Sequence, residues 1–166
     1  MKTLLEFDSP QIYCDMDGVL ADFDNGIKDM IGGKFSDARW DELPDDFFLQ
    51  LEPMKDAKKL WDFIGKYDPF ILTAVPRSER GPIAARATED KTRFMKRWFG
   101  VSSDKMYPVM RADKMRFAKD GRDGRAYLLI DDHSKNILQF SSAGGIGVRH
   151  TSASNTIKQL KEIGYK

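Results

Sequence analysis

A single cysteine, Cys14, stands in 166 residues, so an intrachain disulfide is impossible and a metal centre of clustered thiolates is excluded. Histidine is scarce too, with two in the whole chain, which leaves oxygen donors as the abundant candidates for metal ligands. No segment approaches the roughly 20 apolar residues that a membrane span requires, and the opening MKTLLEFDSP has too short an apolar run for a signal peptide. A reducing, cytoplasmic setting is the expectation. Hydrophobic residues make up 41% and charged residues 32%, values that set aside disordered, fibrous and membrane classes. The net charge of +1 selects no partner, but its distribution is uneven. Asp and Glu are frequent in the first third, and Arg and Lys in residues 77–125. The basic stretch suits a phosphorylated substrate, although solvated helix faces look the same.

A chain of this length suits one compact domain with at most a small appendage. Short apolar runs at residues 11–14, 69–72, 105–109, 127–130 and 146–148 alternate with longer amphipathic stretches. That alternation predicts an α/β fold, a Rossmann-like parallel sheet flanked by helices. Pro53 and Gly65 bracket one helix, residues 87–99 form a second that Gly100 stops, and residues 154–163 form the last. Residues 23–48 break the pattern, being acidic, with Gly32 and Gly33 and the aromatic pair Phe47 and Phe48. They are expected to belong to a small helical insertion, 23–53, in an α/β core of residues 1–22 and 54–166. The polar stretch 112–124 reads as an exposed loop or a short frayed helix. No repeat, low-complexity tract or linker is present.

Polar clusters directly follow three of the predicted strands: Asp15 and Asp17, then Thr73, then Asp131 and Asp132. In an open parallel sheet the carboxyl ends of the strands share one edge, and ligands bind in the crevice there, so these residues converge. Carboxylates gathered that closely repel one another unless a hard cation holds them, and oxygen donors favour Mg2+, which commonly shares phosphate oxygens. A carboxylate at such a metal can attack phosphorus and form an aspartyl-phosphate, with Asp17, two residues on, as general acid and then base. Gly18 gives the backbone room to turn. Taken alone, Asp-x-Asp-Gly is equally a turn after a strand. With Thr73 and the acidic pair in LLIDD added, coincidence is a poor explanation.

At these residues the chain resembles the haloacid dehalogenase superfamily of phosphotransferases, in DMDGVL, in Thr73 of FILTAVP and in LLIDD. Within it, DMDGVLADF, FFLQLEPM and KTRFMKRWFG are similar to segments of the 5'(3')-deoxyribonucleotidases. The resemblance spans almost the whole chain. It implies a Mg2+-dependent phosphatase with Asp15 as nucleophile, Asp17 as acid/base, and Thr73 and Lys91 as phosphoryl binders. Lys114 and Lys119 remain alternatives for the motif lysine. The implied metal ligands are Asp15, Asp132 and neighbouring Asp131, with the Asp17 backbone carbonyl. The resemblance implies that the insertion acts as a cap whose aromatics, Phe23, Phe48 and Trp40, enclose a base; the same rings could equally be the cap's own core. Ala74 replaces a hydroxyl residue that such nucleotidases can carry, and the segment RADKMRFAKDGRDG is longer and more basic than theirs.

The leading expectation is a nucleotidase acting on deoxynucleoside monophosphates. A nucleic-acid end phosphatase, 3' or 5', keeps the chemistry and uses the basic stretch; a sugar-phosphate phosphatase is a third reading. A phosphoacceptor signalling module uses similar residue types, but its acidic pair follows the first strand and its acceptor Asp a later one, the reverse of the order here. Asp17 also argues against it, since a module that keeps its phosphate gains nothing from a nearby general base.

Overall fold

The computed structural model describes residues 8–166. Residues 1–7, on which most of the signal-peptide argument falls, lie outside them. The fold is α/β, with a five-stranded, all-parallel sheet in the order β3-β2-β1-β4-β5. Its strands are β1 (Ile12–Cys14), β2 (Phe70–Ala74), β3 (Met106–Val109), β4 (Leu128–Asp131) and β5 (Ile146–Arg149). Helices α1 (Phe23–Met30), α2 (Phe47–Gln50), α3 (Ala57–Ile64), α4 (Pro82–Phe99), α5 (Ser134–Ser142) and α6 (Ala153–Ile163) complete the regular structure, with short 3₁₀ turns between them. Among the described residues, no helix is long and apolar enough to cross a membrane.

Strands covered on both faces read as continuous apolar runs, which explains IYC and LLID. Their side chains divide between the two faces. Ile12, Cys14, Ile71, Leu128 and Ile130 enter one core, while Tyr13, Leu72 and Leu129 enter a smaller one on the other side. Tyr13 organises that second core, stacking on Phe70 and meeting Tyr107, Phe117 and Tyr127 edge-on.

The chain leaves β1 towards β2 and β3 on one side and crosses back to β4 and β5 on the other. Such a reversal opens a crevice at the carboxyl edge. The β1–β4 register pairs Cys14 with Ile130, and the Asp15 N–H donates to the Ile130 carbonyl at 2.8 Å, so the ladder runs one step past β1. That step sets Asp15 beside Asp131.

Three elements differ from the sequence-based expectation. Pro53 does not open a helix, because the segment before α3 is held against the end of the first turn. Ala21 bridges Pro53, Asp22 N–H donates to the Glu52 carbonyl at 2.8 Å, and Met54 N–H to Leu20 at 2.9 Å. These bonds join the two ends of residues 23–53, whose Ile27, Leu43, Phe47, Phe48 and Leu51 share the larger core. Next, α4 begins at Pro82 rather than Ala87, since proline suits a first helical position and Gly81, at φ +77°, supplies the turn before it. Lastly, residues 112–124 divide between a short 3₁₀ helix and an exposed loop, as expected, except that one lysine of the helix is buried. Arg111–Phe117 is a 3₁₀ turn with Lys114 only 2% exposed, pinned by Phe117 against Tyr13 and Tyr107. α5 occupies the stretch between the fourth and fifth apolar runs, where the alternation implied a helix without giving its bounds.

Candidate active site

Asp15 is buried at the end of β1, and its Oδ1 accepts from the Met16 N–H at 2.9 Å and the Lys114 ammonium at 2.9 Å. Lys114 also donates to Asp131 Oδ2 at 2.8 Å, so one cation bridges the acidic ends of β1 and β4. Asp131 is closed off completely. Its Oδ1 accepts from the His133 N–H at 2.8 Å and its Oδ2 from Asn136 at 3.1 Å as well as from Lys114. Asp132 is the more open of the pair. Its carboxylate lies over Gly18, where a β-carbon would clash with Asp132 Oδ2, and Gly18 has φ +80°. Only glycine permits that approach.

One carboxylate oxygen from each of Asp15, Asp131 and Asp132 lies within 4.8 Å of the others. Burial pushes the Asp15 carboxyl well above its usual range, against the pull of Lys114, and Asp131 and Asp132 push it further. Asp132 is raised for the same reasons, burial first and then Asp131. For Lys114, burial works to lower the ammonium, but Asp15 and Asp131 outweigh it and hold the group above the ordinary lysine range. One buried cation among three carboxylates leaves excess negative charge, and the donor set is all oxygen. Those residues fit a small hard cation.

A second lysine serves the neighbouring strand. Lys91, fully buried on α4, donates to Asp17 Oδ2 at 2.7 Å, Thr73 Oγ1 at 2.9 Å and the Ala74 carbonyl at 2.6 Å, which engages all three of its N–H groups. Asp17 Oδ1 is buried without a hydrogen-bond partner. Lys91 therefore holds Asp17 and Thr73, whereas the lysine on Asp15 is Lys114. Lys119 is elsewhere: its side chain runs against Gly144, before β5, at the amino edge of the sheet.

The carboxylates open into a cleft of about 860 Å³ that reaches under the 23–53 insertion. Phe23, Trp40 and Phe48 line it, as do Asp15, Asp17, Ala74, Lys114 and Asp132. The rings also pack on one another, Trp40 lying 6.0 Å from Phe48 and 6.5 Å from Phe23, so they form the core of the insertion and a wall of the cleft at once. Phe48 is 1% exposed and its ring centre is 4.4 Å from the Lys91 ammonium.

Two site residues escaped the sequence reading. Phe35, 4.8 Å from Trp40, completes the aromatic wall but stands in a loop with no periodicity to mark it. Asn136 holds Asp131 from the first turn of α5; the polar run HSKN after LLIDD was the available signal for a helix start there.

No protein-family model matches the chain. It is similar to a protein of Vibrio phage KVP40 named "Putative 5'(3')-deoxyribonucleotidase", with 31% identity over 132 residues that cover 78% of this chain and 69% of the relative.

Proposed function

The chain belongs to the 5'(3')-deoxyribonucleotidase family, and from that premise we propose that it is a Mg2+-dependent phosphatase that hydrolyses deoxynucleoside monophosphates through an aspartyl-phosphate on Asp15. The observation that carries this reading is a single cleft in which a buried carboxylate, held by a lysine, faces the same space as a wall of aromatic rings.

The phosphate sits between Lys114 and Thr73. Two of the three Lys114 N–H groups are bound to Asp15 and Asp131, leaving one for a phosphate oxygen. The Thr73 hydroxyl accepts from Lys91, which leaves its own O–H free to donate. Asp15 Oδ2 attacks phosphorus, the bond to the ester oxygen breaks, and the leaving oxygen takes a proton from Asp17. The Asp17 oxygen for this task is Oδ1, because Lys91 holds Oδ2. Water then attacks the phosphoryl group, gives its proton to Asp17 and restores the Asp15 carboxylate, with inorganic phosphate as product. Asp15, Asp132 and the Asp17 carbonyl would hold Mg2+, which neutralises charge on the carboxylates and on the phosphate when bound. Asp131, beside them, accepts three hydrogen bonds and fixes Lys114. Stacking on Phe23, Phe35 and Trp40 accepts any flat base, which makes recognition tolerant of base identity.

A panel of deoxynucleoside and ribonucleoside monophosphates, glycerol phosphate and 5'- or 3'-phosphorylated oligonucleotides, assayed with Mg2+, tests the assignment. Mononucleotides are the preferred substrates on this account. Preference for oligonucleotide ends, with activity falling steeply in salt, would replace it with an end phosphatase.

A further inference from the structure

Asp37, in the insertion, reaches in two directions. One carboxylate oxygen, Oδ1, accepts from the Trp40 indole N–H at 2.8 Å. The other, Oδ2, accepts from Arg80 Nη2 at 2.5 Å, with Arg77 Nη2 at 3.8 Å. Arg80 belongs to the Ser78–Arg80 turn, between β2, which carries Thr73, and α4, which carries Lys91. A single carboxylate thus ties an aromatic of the cleft wall to the connection between the strand of Thr73 and the helix of Lys91.

The turn bearing Asp37 is itself fixed from within. Arg39 pairs with Glu42 at 2.6 Å and donates to the carbonyls of Gly32 at 2.8 Å and Lys34 at 3.0 Å. From that braced turn Asp37, 59% exposed, extends to Arg80. An ion pair so exposed contributes little to overall stability. Its geometric effect is larger, because Trp40 lies 4.8 Å from Phe35 and 6.0 Å from Phe48, and moving the indole moves the wall. The Trp40 N–H, and after it Arg80, hold the Asp37 carboxyl below its usual range, so the charged form is the one in place at neutral pH.

We infer that Asp37 is a positioning residue for substrate selectivity, latching the Trp40 face of the cleft to Arg80 so that a base and its phosphate are engaged together. This inference rests on the nucleotide-phosphatase reading above. It predicts that Asp37→Ala and Arg80→Ala raise KM for a deoxynucleoside monophosphate about five- to tenfold, the loss expected for one or two modest polar contacts. The kcat stays within about twofold, KM for glycerol phosphate does not change, and Arg80→Lys restores most of the loss. A second readout needs no substrate: the indole N–H resonances of the ligand-free protein. The signal missing in Trp40→Phe should shift in both Asp37→Ala and Arg80→Ala while the signals of Trp61 and Trp98 stay. An unmoved Trp40 signal overturns the latch, as do equal KM increases on nucleotide and glycerol phosphate. A wild-type protein that accepts glycerol phosphate and no nucleotide defeats the nucleotidase reading instead, and the indole shift still decides whether the latch exists.

Discussion

Lys114 and Lys91 look alike in sequence, yet their surroundings assign them different work. Lys114 compensates two buried carboxylates, so Lys114→Met strands Asp15 and Asp131 without a cation. Breaking a buried pair from one side typically costs about 3–5 kcal/mol, and loss of a charge-stabilising donor lowers kcat about 10²- to 10³-fold. Denaturant unfolding and steady-state kinetics on Lys114→Met check both figures, and a variant of wild-type stability and kcat would remove Lys114 from the site. Gly18 makes a sharper prediction. Gly18→Ala puts a methyl group on the Asp132 carboxylate and strains a backbone at φ +80° by about 1–2 kcal/mol. Activity should then require more Mg2+ for half-saturation, with substrate KM at saturating Mg2+ changing less; an unchanged Mg2+ requirement would show that Asp132 is no ligand.

At the scale of elements, the strand ends were legible because apolar runs flanked by acidic residues carry their own period and punctuation. DMDG, Thr73 and LLIDD all lie at the carboxyl edge for that reason. Lys91 and Lys114 were legible as candidates but their separate roles were not, since where a Lys is buried and what it meets depend on tertiary contacts. The 3₁₀ turn carrying Lys114 is rich in charge and is drawn inward by its own Phe117, a contact with Tyr13 that spans about 100 residues of sequence and leaves no local trace. The aromatic cap shows the same limit: Trp40 and Phe48 stood out by type, but Phe35 and Asp37 matter only through what they touch. Where β5 meets α6, His150 Nδ1 lies 2.7 Å from the Thr156 hydroxyl, and burial holds its imidazole below the usual pKa. The unfolded chain therefore binds the proton first as pH falls. The contribution of this histidine to stability is complete above about pH 6.5 and lost below it. Urea midpoints should drop between pH 7.5 and 5.5 more in the wild type than in His150→Gln; parallel profiles would contradict that.

On the scale of the molecule, the proposed function places the phosphoryl chemistry at the sheet edge, and residues 23–53 supply the wall that faces it. The paired segments at 20–22 and 52–54 keep the insertion anchored at both ends, so the two halves of the cleft keep their relation. Selectivity and chemistry should consequently separate on mutation. Phe23→Ala is expected to weaken turnover of a deoxynucleoside monophosphate tenfold or more while leaving glycerol phosphate turnover within about twofold, since base stacking on an aromatic is worth about 1–3 kcal/mol. Equal losses on both substrates would reduce Phe23 to packing. The central claim, that Asp15 carries the phosphoryl group, is tested most directly by acid-quenching the enzyme during turnover of a nucleotide with radiolabelled phosphate and mapping the protein-bound label. The account predicts label on the peptide containing Asp15 and none in Asp15→Asn, which should also release no phosphate; turnover by Asp15→Asn at the wild-type rate, or label on another residue, would contradict it.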